Sequence, residues 1–125
     1  MRNRYANNEA IKWYIKEFTS GTVQVYNAPH GYNTGTGDIW NMWDTLILDK
    51  IFKRIHFIQI CSKSNRSTVI KEHDLLNPDK YVFCSNINYI LLTFDKVKGR
   101  YNFEVFYLNP KQASEKQIVE VVKIN

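Results

Sequence analysis

Three side chains in the first half of the chain have types and spacing that suit chemistry on a phosphate. Asp44 opens the apolar run Thr45-Leu46-Ile47-Leu48. Gln59 lies inside a second run, Phe57-Ile58-Gln59-Ile60-Cys61, and Lys63 follows shortly after it. Both runs read as strands, and side chains alternate along a strand. Gln59, Cys61 and, if the strand persists, Lys63 therefore share a face. If the two strands form a hairpin, the acid and the amide can converge. Two oxygen ligands suit a hard divalent cation such as magnesium or manganese, which takes few protein ligands and keeps several waters. Such an ion activates a water and offsets charge on a phosphate. A nearby lysine can stabilise that charge. Asp38, after Gly37, is a further acid near the same loop, and Glu9 can add a third carboxylate if its helix packs beside the strand ends.

These residues need elements to hold them. Ala10, Ile11, Tyr14, Ile15 and Phe18 fall at helical spacing, and Thr19-Ser20-Gly21 ends the helix. It begins at Asn7 or Asn8, or earlier near Asn3. Residues 22–26 read as a strand, and residues 28–37, with Pro29 and three glycines, as a loop. The strands at 43–48 and 55–61 make the hairpin. A polar stretch, Ser62-Lys63-Ser64-Asn65-Arg66-Ser67, caps a short second helix that ends before Asn77-Pro78. Apolar runs at 81–84 and 89–94 follow, the second being the better strand. Lys98-Gly99 turns the chain into a strand at 101–108, and residues 118–124 form either a further strand or a loosely held tail. This order predicts a mixed α/β domain with one central sheet.

Composition narrows the classes. The chain has 125 residues, 44% hydrophobic and 23% charged, the profile of one globular domain rather than a disordered one. No apolar run approaches the roughly 18 residues that span a bilayer, and the first residues lead into no apolar signal region. A soluble, intracellular (cytoplasmic) protein with no membrane partner is expected. A net charge of +5 suits a polyanion such as nucleic acid. The two cysteines, Cys61 and Cys84, sit in apolar runs and read as buried free thiols. No Cys/His cluster has zinc spacing.

At Asp38-Ile39-Trp40, Asp44, Ile58-Gln59-Ile60-Cys61-Ser62 and Asn65, the sequence resembles the PD-(D/E)xK nuclease superfamily. More narrowly, it is similar to small nuclease-like proteins of phages and other mobile elements. Their pattern is an Asp-aromatic pair, a second Asp opening a strand, then Ile-Gln-x-Thr-Ser and a nearby Asn. The resemblance covers roughly residues 5–108 and leaves 109–125 as an extension. It implies a restriction-endonuclease-like αβββαβ core, a central mixed sheet flanked by helices, that cuts DNA with magnesium. By this resemblance Asp44 is the metal-binding aspartate, and Gln59 stands where most members carry Glu. Glu9 matches the helix-borne acid of resolvase-like members, and a homodimer is implied by analogy. Cys61 occupies the position of the catalytic lysine, so Lys63 is expected to take over that role.

Other side chains are candidates for contacting DNA. Arg66 and Lys71, on the second helix, and Asn65 before it can meet phosphates. Trp40 can stack on bases or pack in the core. Two rival functions remain open. One is a nucleic-acid-binding module on the same fold that does not cut, which Cys61 favours. The other is a protein-interaction module that uses the chain's many aromatics.

Overall fold

The computed structural model describes residues 4–28, 43–82 and 84–108. Helix α1 (Arg4–Phe18) is followed by strands β1 (Val23–Asn27), β2 (Thr45–Asp49) and β3 (Arg54–Ser62). A 3-10 turn (Lys63–Asn65) leads into α2 (Arg66–Glu72), and a second one (Pro78–Lys80) precedes β4 (Ile87–Val97) and β5 (Arg100–Tyr107). This is a mixed α/β arrangement with one five-stranded sheet, in the order β1-β2-β3-β4-β5. Pairing is antiparallel except between β3 and β4, which run parallel. A parallel pair requires a crossover, and the segment containing α2 supplies it.

α1 begins at Arg4, close to the earlier of the two expected starts. Ala6, Ala10, Trp13 and Tyr14 recur at one-turn and two-turn spacing, so a single stripe is buried. Its end is fixed locally. The Thr19 hydroxyl donates to the Ile15 carbonyl, and Gly21, at φ +90°, takes the left-handed conformation that turns the chain out. The stripe packs on Ile47, Ile58, Ile60, Ile90, Leu92, Phe103 and Val105, the inward set of one sheet face.

The other face carries Phe57, Cys61, Tyr89 and Leu91, closed by Trp43, Leu75 and Tyr81. Val69 and Ile70 of α2 are only partly buried against it. The Trp43 ring lies within 6.1 Å of the Phe57, Tyr81 and Tyr89 rings. Trp43→Ala should therefore cost about 3–5 kcal/mol through the cavity it leaves. The midpoint of urea unfolding, followed by circular dichroism, checks this.

Turn chemistry sets the hairpins. Lys98 and Gly99 both take positive φ, 53° and 81°, as a two-residue turn matched to strand twist requires. At the β2–β3 turn the buried Asp49 carboxylate accepts from the Ser20 hydroxyl and amide and from the Ile51 and Phe52 amides. Burial alone would raise its pKa, but these donors outweigh burial and lower it. Asp49 is thus a structural carboxylate that ties α1's exit to the hairpin.

Three expectations change or lie outside the description. Strand β2 begins at Thr45 rather than Trp43. The described residues of the 81–84 run form no strand, because Tyr81 turns inward beneath Trp43 and Val82 stands exposed. The glycine-rich loop, Asp38, Trp40 and the segment at 118–124 lie outside the described residues. No helix among the described residues is long and apolar enough to cross a membrane.

Candidate metal and nucleic-acid site

The backbone at the start of β2 is irregular in a way that re-aims one side chain. Thr45 pairs with Ile58, and the Asp44 amide also donates to the Ile58 carbonyl at 2.8 Å. Two residues thus oppose one, which is a β-bulge. The packing agrees. Trp43 and Leu46 are three residues apart yet pack on the same cluster, so the two-residue alternation slips by one between them. The slip turns the Asp44 carboxylate toward β3, where Oδ2 accepts from the Ile60 amide at 2.8 Å. Ala28 N–H donates to the Asp44 carbonyl and fixes the other side of the bulge.

Ile60 lies between Gln59 and Cys61, so the carboxylate is clamped to the stretch of β3 that carries both. Phe57, Gln59 and Cys61 alternate onto the α2 face. Asp44 and Gln59 are each only 5% exposed. The Asp44 carboxylate thus meets β3 at the Ile60 amide, one residue along the strand from Gln59.

Cys61 shares their neighbourhood. Burial, and then the Asp44 carboxylate, push its thiol up to about 12, with Arg66 pulling the other way. It is a neutral thiol at physiological pH and supplies no positive charge where the resemblance places a lysine.

Lys63 does not continue the strand, on which its expected alignment with Gln59 and Cys61 depended. β3 ends at Ser62, and Lys63 opens the 3-10 turn, so strand alternation no longer positions it. It is exposed and lines a small cavity with Thr93, Asp95, Asn102 and Glu104. Glu9 belongs to α1, which packs on the opposite face of the sheet, and it pairs with Lys12 at 3.3 Å. It borders a groove with Tyr5, Asn8 and Asn27 rather than joining Gln59 on the α2 face.

The DNA-contact candidates separate by environment. Asn65 precedes α2 and is exposed, and its side chain makes no capping hydrogen bond. Lys71 is exposed in the last turn of α2. Arg66 is held in place, with its guanidinium 3.6 Å from Glu104 and 4.8 Å from the Phe106 ring centre. Asp38 and Trp40 are among the candidates outside the described residues.

Glu104 and Thr93 are buried polar residues absent from the sequence-based candidates. The signal for Glu104 was an acid at the centre of Asn102-Phe103-Glu104-Val105-Phe106, where a strand puts it on the face opposite Phe103 and Val105. Among the described residues, no three His, Cys, Asp or Glu side chains converge as a metal-binding group. No protein-family model matches the chain, and the curated proteins and the solved structures yield no significant match.

Proposed function

We propose that the chain is a metal-dependent DNA endonuclease-like protein of the PD-(D/E)xK type, hydrolysing phosphodiester bonds. The observation that carries this reading is the bulge at Asp44, which presses a buried carboxylate onto the β3 segment bearing Gln59 and Cys61. Bulges recur beside active sites because they re-aim a side chain that regular pleating would point elsewhere. The α1, three-strand, α2, strand order and the parallel β3–β4 pair support the αβββαβ core of the same reading.

The donor set fits magnesium or manganese. A carboxylate and an amide oxygen are hard ligands, and such ions need only one or two carboxylates, the rest being water and substrate phosphate. Asp44 and Gln59 would hold the ion, with Asp38 as a further acid. When bound, it supplies an activated water and offsets charge on the phosphate. The chain's own part is positional. Asp44 is oriented by the Ile60 amide, while Lys63, Asn65, Arg66 and Lys71 follow the end of β3 and offer donors to the DNA backbone. Gln59→Glu adds a second negative charge and should lower the magnesium concentration for half-maximal cleavage about tenfold. A magnesium titration of the cleavage rate reads this directly.

A second reading has its own support. With a neutral thiol at Cys61 and Lys63 displaced into the turn, the fold can bind DNA without cutting it. Linear, single-stranded and four-way-junction DNA incubated with magnesium or with chelator separates the two. Cleavage confined to the metal arm supports the nuclease. Intact DNA bound with an affinity that falls steeply as salt rises supports the binding module. Absence of binding at low salt removes both and leaves the protein-interaction module. Size-exclusion chromatography with light scattering tests the homodimer.

A further inference from the structure

The β4–β5 hairpin carries a second polar cluster. Thr93 pairs with Glu104, and Asp95 with Asn102, across the antiparallel ladder. The four side chains therefore stand in two adjacent rows on the sheet face that also bears Leu91 and Phe106. With Lys63 at the rim they line a cavity of about 40 Å³. A water-sized occupant needs roughly 10–15 Å³, so the space admits one.

Two atoms at this cavity are unsatisfied. Thr93 is 1% exposed, and its hydroxyl oxygen has no hydrogen-bond partner. Glu104 is 9% exposed, and its Oε1 has none either. Arg66 stands 3.6 Å from that oxygen, beyond hydrogen-bond distance. Burying the Thr93 hydroxyl without a hydrogen bond costs free energy, and the Glu104 oxygen beside it has only a long ion pair with Arg66, so the cavity between them calls for an occupant.

The lining chemistry selects that occupant. Two carboxylates, a hydroxyl and an amide oxygen are all hard ligands of the kind a divalent ion takes, and such an ion would compete with Arg66 for Glu104. Lys63 is exposed, so its ammonium can withdraw into solvent on a flexible stem. We propose that Thr93, Asp95, Asn102 and Glu104 form a divalent-cation site on β4–β5, separate from Asp44 and Gln59. Thr93 pairs with Cys61 of β3, but Glu104 lies three strands from the start of β2 that carries Asp44, roughly 15 Å at the usual strand spacing, so the ion Glu104 holds is not the one Asp44 holds. The site stands whether or not the protein cuts DNA.

The test counts Mn²⁺ bound to the chelator-stripped full chain by electron paramagnetic resonance. Wild type is compared with Glu104→Gln, Thr93→Val and Asp44→Asn. Glu104→Gln and Thr93→Val should each weaken one class of bound ion at least about tenfold, about 1.4 kcal/mol. Asp44→Asn should leave that class unchanged, which separates this site from the proposed nuclease centre. Thr93→Val removes only the unpartnered hydroxyl, so it keeps the fold if Glu104→Gln does not. Its melting temperature without metal should match or exceed wild type, and Mn²⁺ should raise it less. Wild type that binds no Mn²⁺ up to about 10 mM, or binding undiminished in both hairpin variants, would overturn the proposal and leave water as the occupant.

Discussion

Replacing Asp44 with asparagine should leave the protein folded, leave DNA binding intact and slow metal-dependent cleavage about 1,000-fold, equivalent to about 4 kcal/mol of transition-state stabilisation. Asparagine retains an oxygen that can accept from the Ile60 amide, so the bulge contact survives. What disappears is the negative charge, the main electrostatic attraction for a cation where Gln59 and Cys61 are both neutral. Single-turnover cleavage with saturating enzyme reads the loss, and fluorescence anisotropy confirms binding. A variant that cuts at the wild-type rate would remove Asp44 from the chemistry and reduce its carboxylate to a strand-end cap.

The second large effect is on stability against acid. His56 is 1% exposed, with Nδ1 2.8 Å from the Tyr14 hydroxyl. Burial, reinforced by Arg54 and only partly opposed by Asp49, lowers its pKa to about 4. The unfolded chain protonates this ring near pH 6.5, whereas the folded protein resists until about 4. The contribution of neutral His56 is therefore complete above pH 6.5 and is lost as pH falls toward 4. Stability should drop by about 3 kcal/mol across that window, and His56→Gln should flatten the drop. Asp49 acts lower on the scale. Its depressed folded pKa makes its contribution present above the unfolded carboxylate value, about pH 4, and lost as pH falls toward the folded one. Urea midpoints measured from pH 3 to 8 separate the two windows. A flat profile between pH 6.5 and 4 would contradict the burial argument for His56.

Features written in local chemistry were legible before the fold was known. Lys98-Gly99 is a hairpin turn because few residue pairs accept two positive φ angles at low cost. Thr19-Ser20-Gly21 ends α1 because a hydroxyl and a glycine resolve the last turn without any distant partner. Gln59 and Cys61 fall on one face by alternation alone. Features decided by a partner strand were not legible. The slip at Asp44–Thr45 exists because both residues stand opposite Ile58 of β3, Thr45 in register and Asp44 through its amide, which no periodicity in 43–48 reveals. Lys63 lies past the end of the strand because the chain tightens into a 3-10 turn on its way to α2. The burial of Thr93 opposite Glu104 emerges only once the β4–β5 register is set.

Whether Asp44 and Gln59 hold a metal can be measured directly by titrating Mn²⁺ into isotope-labelled Glu104→Gln protein and following amide resonances by nuclear magnetic resonance. That variant removes a carboxylate from the proposed hairpin site and leaves the proposed β2–β3 site as the one under test. The amides of Ile60 and Cys61 and the side-chain amide of Gln59 should broaden first, because the Asp44 carboxylate lies against that stretch of β3. Sharp resonances at those residues, at Mn²⁺ concentrations that broaden others or none, would show that Asp44 and Gln59 hold no ion and that metal-assisted hydrolysis does not occur there.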